Sequence, residues 1–260
     1  MLISTGTDTA KLTEATYMVD DQPYKGWEYI GMAPKPGTPG YGQDIAGEEV
    51  PQGYLVMQPP HSVTRPHFHQ TNQFQVFVGG GGTVGKQRVA PLTVQYAGGN
   101  TPYGPIKAET EGVDYFTLRQ AWDSGAKYLP ATRSLLVKGQ QRQVVGVKGQ
   151  TGAVQQVGDA ILDVLIEATE DGLFAQTITL PAEARYCLPD CAEGGGQYHV
   201  VGLNRQERLA SPQLHSQLAH LQRWCSHKPR FQICFAVNRT KFFLFHILLS
   251  LGIRLKLFQS

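Results

Sequence analysis

Short runs of hydrophobic residues, several with alternating polar positions, recur along the first 180 residues and predict β-strands. The runs are rich in β-branched and aromatic residues, and several end at proline or glycine. They cover residues 54–57, 74–78, 91–96, 115–118, 134–138, 143–147, 161–168 and 173–180. Short strands separated by turns are typical of a sandwich, a barrel or a jelly roll. Residues 53–118 contain no stretch with helical periodicity, so a βαβ fold is disfavoured.

Two glycine-containing segments predict turns between these strands. Gly79–Gly82 follows the run at residues 74–78 and predicts a hairpin turn, and Glu170-Asp171-Gly172 predicts another. The glycines between 80 and 85, followed by Lys86, also approach a nucleotide-binding pattern. That pattern needs a helix directly after it, and the next residues predict a strand, so nucleotide binding is disfavoured.

Shifts in composition and strand pattern divide the chain into five predicted segments. They are an N-terminal arm (residues 1–49), a first barrel (50–120), a linker with short strands (121–158), a partial second barrel (159–203) and a basic tail (204–260). The arm is expected to carry one or two short strands around residues 27–30. A weak internal repeat supports the second barrel, because residues 72–78 can be laid on residues 196–202.

The basic tail, residues 204–260, contains nine Lys or Arg and one acidic residue. Its leucines at 214, 218 and 221 share one helical face and predict a helix over 212–225. The apolar run at 242–249 is too short for a spanning helix, which needs about 20 residues. Two explanations of the tail stay open: unrelated sequence that replaces the end of the second barrel, or an anchor at a membrane surface.

Overall composition excludes several classes of protein. Hydrophobic residues make up 41% of the chain and charged residues 17%, which excludes wholesale disorder. The net charge of +2 gives no basis for a nucleic-acid partner. Four cysteines without a Cys-x-x-Cys pair do not form a disulfide scaffold. The N-terminus lacks the basic start and apolar run of a secretory signal, so a cytoplasmic location is expected.

The candidate chemistry centres on residues 66–80, with the sequence PHFHQTNQFQVFVGG. In a strand, residues two apart point to the same face, so His67 and His69 can present both imidazoles to one cavity. Imidazole is a ligand for several divalent transition metals. The pair therefore marks a candidate metal or small-molecule site.

This segment resembles the first motif of the cupin superfamily, which has His-x-His, an acidic residue four positions later and a strand ending in glycine. The chain has His67, His69 and Gly79 at the matching positions, and Gln73 stands where the family has its acid. A neutral carboxamide is a weaker metal ligand than a carboxylate.

The segment Pro102-Tyr103-Gly104 resembles the Pro-x-Gly of the second cupin motif, and Lys107 stands where the family has a ligand histidine. A protonated lysine repels a divalent cation and attracts an anion. The resemblance covers residues 50–120 and, more loosely, residues 160–202. It implies an all-β fold: a cupin-type jelly-roll barrel, with a second incomplete barrel and a C-terminal helical or irregular tail.

Three function classes follow from this resemblance. The first is a metal-dependent enzyme, such as an oxygenase or isomerase, in which His67 and His69 hold iron, manganese, nickel or zinc with Gln73 as a weak third ligand. The second is a metal-free binding or sensor module, in which the two histidines and Lys107, with Gln73 and Tyr103, hold a small anionic molecule. The third is a structural or storage-type protein with two barrels. A homodimer is a further family-level expectation.

Three other residues near the motif received a prediction from the sequence. His61 precedes the histidine pair by six residues and is a substitute third ligand only if it shares their strand. A loop position for His61 is the alternative. Arg65 and Arg119 have side chains that bind carboxylates, and both are expected at the surface.

Overall fold

The chain folds almost entirely as β-structure. A computed structural model describes residues 2–37, 40–43, 51–139, 141–180, 196–203, 232–238 and 243–249. Within these residues the helical segments are α1 (Thr7–Lys11) and a 3-10 turn at Arg133–Leu135. The all-β class predicted from the sequence is confirmed, and no helix in the described ranges is long and apolar enough to cross a membrane.

The strands are numbered in chain order. They are β1 (Leu2–Thr5), β2 (Ala15–Val19), β3 (Gln22–Ile30), β4 (Gln52–Gln58), β5 (Val63–Thr64), β6 (His67–Phe68), β7 (Gln73–Val84), β8 (Gln87–Val89), β9 (Thr93–Ala97), β10 (Ile106–Arg119), β11 (Lys127–Tyr128), β12 (Gln143–Val147), β13 (Val154–Val157), β14 (Ala160–Ile166), β15 (Phe174–Thr179), β16 (Gly196–Leu203), β17 (Gln232–Asn238) and β18 (Phe243–Leu249).

The chain divides into two compact units. The first is Ser4–Gly152, and the second joins Met1–Ile3 to Ala153–Ser260. The first unit contains an antiparallel sheet in the order β12-β9-β7-β10-β4-β3-β2, with β5 paired to β10 and β8 paired to β7. This sheet is wider than the predicted barrel at residues 50–120. The arm supplies β2 and β3 at one edge, and the predicted linker supplies β12 at the other.

Strand β7 runs through the glycines that were expected to end it. Gly79–Gly82 lie inside β7, where Gly79, Gly80 and Gly82 pair with residues of β10. The chain reverses only at the two residues between β7 and β8. A Cβ atom on Gly80 would lie 2.0 Å from the Gly112 carbonyl oxygen, and Gly80 has a φ of +60°. Glycine is therefore required here because two bulged strands approach closely, and the predicted turn at Gly79–Gly82 is wrong.

One face of this sheet carries both an apolar core and polar side chains. Phe77 on β7 lies opposite Tyr115 on β10, and Tyr115 lies opposite Val56 on β4. These residues belong to one buried cluster. Gln73 and Arg119 lie on the same face, each four residues from a core residue of its own strand. The polar side chains thus extend the core toward one end of the strands.

The second unit contains a seven-stranded sheet in the order β1-β17-β16-β18-β15-β14-β13. The predicted hairpin is confirmed, because β14 and β15 pair and Gly172 N–H donates to the Thr169 carbonyl at 2.8 Å. Strands β17 and β18 lie in the tail that was expected to be helical or irregular, and the apolar run at 242–249 contains β18. The helix predicted over 212–225 lies outside the described residues. Closure into a second barrel stays a prediction.

The strand predicted at residues 134–138 is wrong. The segment begins in the 3-10 turn, and Leu135 and Val137 are exposed. A strand is stabilised by pairing and by burying one face, and neither occurs for these residues in the described part of the first unit.

Candidate functional site

His67 and His69 lie in one buried cluster in the first unit. The His67 backbone exchanges hydrogen bonds with Tyr103 at 3.1 and 3.0 Å, and β6 pairs His67 with Tyr128 of β11 on its other side. Both residues are buried, with 3% of the surface of His67 and 7% of the surface of His69 exposed. Their ring centroids are 5.3 Å apart and nearly perpendicular. Backbone pairing on both sides of His67 thus fixes the position of the first imidazole.

Hydrogen-bond partners determine the tautomer of His67. Its Nδ1 lies 2.8 Å from the Arg65 carbonyl oxygen, which can only accept, so Nδ1 donates. Its Nε2 lies 2.8 Å from the Tyr103 hydroxyl and therefore accepts from it. Burial, with a smaller effect of the nearby His69, lowers the pKa of His67 to about 3. At pH 7 this imidazole is neutral with its proton on Nδ1.

His69 has the same tautomer for a different reason. Its Nδ1 lies 2.7 Å from Asp123 Oδ1, a carboxylate oxygen that accepts the Nδ1 proton. Arg119 Nη2 lies 3.0 Å from Nδ1 and 3.2 Å from Nε2, and Nε2 is the nitrogen that has a lone pair for it. Burial and the charge of Arg119 lower the pKa of His69 to about 4. Both imidazoles are therefore neutral at pH 7.

Gln73 links the arginine to the tyrosine. Its Oε1 accepts from Arg119 Nε at 3.0 Å and Nη2 at 2.8 Å, and its Nε2 donates to the Tyr103 hydroxyl at 2.6 Å. Hydrogen bonds thus run in one direction from Arg119 through Gln73 and Tyr103 to His67. Gln73 and Tyr103, both predicted as site residues, lie together with the two histidines.

Arg119 lies at the centre of the cluster with 1% of its exposure. Its Nη1 donates to Gln52 Oε1 at 3.1 Å and to the Tyr54 hydroxyl at 2.9 Å, and lies 3.9 Å from Asp123 Oδ1. The predicted surface position of Arg119 is wrong, because β10 continues to this residue and pairs it with Gln52 of β4. The guanidinium is therefore enclosed by neutral acceptors and one carboxylate.

Asp123 is the buried carboxylate of the cluster. Its Oδ2 accepts from the Gln70 N–H at 2.8 Å, and its Oδ1 accepts from the Gly125 N–H at 2.9 Å. Burial opposes its ionisation. The charge of His69, which is protonated only in the acid range where Asp123 titrates, the charge of Arg119 and these hydrogen bonds hold the pKa of Asp123 well below its usual range. Sequence reasoning missed Asp123. Its two signals are the Asp-x-Gly turn and its position four residues after Arg119.

Three predicted residues lie away from the cluster. Lys107 is exposed, which corrects the expectation that it points into the cavity: Ile106 and Ala108 are buried, so strand alternation turns Lys107 outward. His61 is also exposed, in the loop before β5, and is not a third ligand. Arg65 is exposed as expected and forms a 2.5 Å ion pair with Asp20.

The residues of this cluster do not fit the divalent metal that the cupin resemblance implies. His67 Nε2 accepts from Tyr103, and Gln73 Oε1 accepts twice from Arg119. A metal bound to His69 Nε2 at about 2 Å would lie within roughly 5 Å of the guanidinium, a like charge in a buried site. In the part of the chain that the structure describes, no group of three or more His, Cys, Asp or Glu is placed to hold a metal.

Similarity to known proteins is found in the three-dimensional structure and not in the sequence. No family model matches the sequence, and no curated protein matches it. One similar structure is a "putative dioxygenase" from Nostoc punctiforme, at 10% identity, 67% of this chain, 59% of that chain and a TM-score of 0.48. Another is the oxalate decarboxylase of Bacillus subtilis, at 9% identity, 65% of this chain, 56% of that chain and a TM-score of 0.41.

The chain thus spans less than two thirds of the length of each of these structures. At these identities and TM-scores, no activity follows from the similarity.

Proposed function

We propose that the first unit is a metal-free binding module for a small anionic molecule. The proposal depends on one observation, an excess of positive charge at the cluster. Arg119 and Lys127 each carry a positive charge, Asp123 carries one negative charge, and the two imidazoles are neutral at pH 7. A bound anion balances this excess.

Lys127 is the residue proposed to contact the anion. It is half-buried on β11, and its ammonium donates to the Ser124 hydroxyl at 2.8 Å and to the Gly125 carbonyl at 3.1 Å. Both acceptors are neutral, and Lys127 has no salt bridge to a described residue. Its charge acts on His69 in the same direction as burial and Arg119, toward a lower pKa. An anionic oxygen that replaces these neutral acceptors gains a charge-assisted hydrogen bond.

Aromatic rings next to the cluster favour a ligand with a flat apolar part. The His67 ring lies 4.5 Å from the Tyr103 ring and 5.6 Å from the Tyr128 ring, centroid to centroid. Tyr17, Tyr54 and Tyr128 are partly buried and pack against the core. Small-molecule sites commonly combine such aromatic walls with a few polar groups. A planar organic carboxylate is therefore the ligand class that we propose.

Gln73 and Tyr103 support this site through Arg119 and His67. All described hydrogen bonds of the Gln73 carboxamide go to Arg119 and Tyr103, so it holds the guanidinium in place. A metal-dependent oxygenase or isomerase has no support from this donor set. A structural or storage-type protein, the third function class, would have no use for the excess positive charge at the cluster.

The test compares benzoate with benzamide, which has nearly the same shape without the charge. The melting temperature of the full chain is measured with each compound for wild type, Lys127→Gln and, as a matched control, Lys107→Gln. We expect benzoate to raise the melting temperature of wild type and the control, with a smaller rise in Lys127→Gln and no rise with benzamide. Equal shifts in all three proteins, or none in wild type, contradict the proposal.

A further inference from the structure

We infer that Arg119 is a resident cation that takes the place of a metal ion in the His67–His69 site. Its Nη2 atom lies 3.2 Å from His69 Nε2 and 2.8 Å from Gln73 Oε1. These two atoms are at the positions where the resemblance implies metal ligands. The inference does not depend on the identity, or the existence, of an anionic ligand.

The residue at position 73 fits an arginine better than it fits a metal. The Gln73 carboxamide has one end that accepts from Arg119 and one end that donates to Tyr103. A carboxylate has no donor at neutral pH. With Glu at this position, the Tyr103 hydroxyl would lose the N–H it accepts from. Gln73 and Arg119 are therefore a matched pair.

Charge balance supports the same pairing. Arg119 and Asp123 are both almost fully buried, and their side chains lie 3.9 Å apart. Their charges compensate each other in the interior, where an uncompensated charge is costly. A second carboxylate at position 73 would leave this interior pair with a net negative charge. A neutral Gln73 avoids that.

The proposed role predicts that the wild-type cluster rejects divalent metals. A Zn²⁺ ion would have to displace the Tyr103 hydroxyl from His67 and lie beside the guanidinium at His69. Because Arg119 is part of the chain, chelators cannot remove this cation. The protein should therefore keep its stability and its ligand binding in excess EDTA.

The first test uses the full wild-type chain and Zn²⁺ as the probe. Long-range ¹⁵N–¹H NMR of the histidines should show the Nδ1–H tautomer for His67 and His69, unchanged by equimolar Zn²⁺. Stoichiometric Zn²⁺ binding that is lost in the His67→Ala/His69→Ala variant would overturn the inference. Benzoate binding by the same wild-type sample tests the anion proposal separately. A chain that binds both Zn²⁺ and benzoate contradicts the role of Arg119 and the metal-free character of the module, but not its binding of an anion.

The second test builds a metal site by changing the matched pair. Gln73→Glu/Arg119→Gln supplies two imidazoles and a carboxylate without the guanidinium, and should bind Zn²⁺ more than about tenfold more tightly than wild type. Gln73→Glu alone is the control and should stay metal-free, because its new carboxylate pairs with Arg119. A folded double variant with wild-type Zn²⁺ affinity overturns the inference. If the double variant does not fold, the NMR result on wild type decides.

Discussion

The two ends of one sheet face in the first unit differ sharply in chemistry. On β7, Phe77 belongs to the apolar cluster and Gln73, four residues earlier, binds the guanidinium. On β10, Tyr115 packs against Phe77 with ring centroids 5.4 Å apart, and Arg119 lies four residues later in the polar cluster. The same strands, in the same register, thus build an apolar end and a charged end.

This contrast shows where the first unit is vulnerable. Apolar packing is tolerant, because removing a few atoms costs only the lost burial and the cavity that remains. At the charged end the polar side chains are joined by hydrogen bonds and ion pairs. If one of them is removed, the group that it bound stays buried without a partner, and the folded state loses stability by the full desolvation cost of that group. Substitutions at the charged end should therefore be the more destabilising, and more dependent on pH.

The largest effect is expected for Arg119→Leu. The change leaves the buried carboxylate of Asp123 without its cation and removes a donor from Gln73 and Gln52, so the unfolding free energy should fall by about 3–5 kcal/mol. Urea denaturation of the full chain, followed through the fluorescence of Trp27 and Trp122, measures it. Arg88→Leu is the matched control, since Arg88 is exposed and should change stability by less than about 0.5 kcal/mol. Similar losses of unfolding free energy in the two variants would mean that the buried charge of Arg119 contributes no more to stability than an exposed charge.

The second effect is a loss of stability as pH falls. The pKa values of His67 and His69, about 3 and 4, lie below the usual 6.5, so between these values the unfolded chain binds more protons than the folded chain. The stabilisation is present above pH 6.5 and is lost as the pH falls toward the folded values. From pH 7 to pH 5 we expect a loss of about 2–4 kcal/mol, measured by urea denaturation at each pH. His67→Gln/His69→Gln should be less stable at pH 7 but should depend much less on pH; an unchanged slope in that variant assigns the loss to other groups.

The third effect compares one chemical change at the two ends. Tyr103→Phe removes the hydroxyl that joins Gln73 to His67 and should cost about 1–3 kcal/mol. Tyr115→Phe makes the same change at the apolar end, where the Tyr115 hydroxyl has no hydrogen bond to a described residue, and should cost less than about 0.5 kcal/mol. Thermal unfolding of the two variants side by side gives the difference. Equal costs would show that the hydroxyl of Tyr103 contributes no more to stability than the hydroxyl of Tyr115, which has no such hydrogen bonds.

The charged end was only partly predictable from the sequence, for reasons of distance along the chain. Strand periodicity was enough to place His67 and His69 near each other, and the cupin resemblance, carried by the same local motif, added Gln73. Arg119 and Gln52 meet only because β10 and β4 pair in one particular register, and Asp123 reaches His69 through a turn. No local pattern encodes that register. Lys107 shows the converse: the cupin resemblance placed its side chain in the cavity, but strand alternation turns it to the solvent between buried Ile106 and Ala108.

The same limits apply to the fold. Alternating runs found β4, β9, β12, β14 and β15 to within a few residues, because each has a clear hydrophobic pattern bounded by turn residues. The sequence predicts a turn at Gly79–Gly82 because glycine clusters usually end strands. Their role, the close approach of β7 and β10, exists only in the paired structure. A single sequence does not distinguish a glycine that forms a turn from a glycine that allows two strands to approach closely.

The smallest expected effect lies at the boundary of the charged end and tests its excess charge. Lys127 is half-buried, and its two hydrogen bonds go to neutral oxygens, so Lys127→Gln should keep a donor and remove a half-buried charge that has no salt bridge to a described residue. We expect stability at pH 7 and low salt to stay within about 0.5 kcal/mol of wild type, with any change toward higher stability. Lys107→Gln, exposed and distant from the cluster, is the reference, and both are measured at low and high salt. A loss of more than about 1 kcal/mol in Lys127→Gln alone would mean that the ammonium already has an anionic partner, and the positive charge available to a ligand would then be absent.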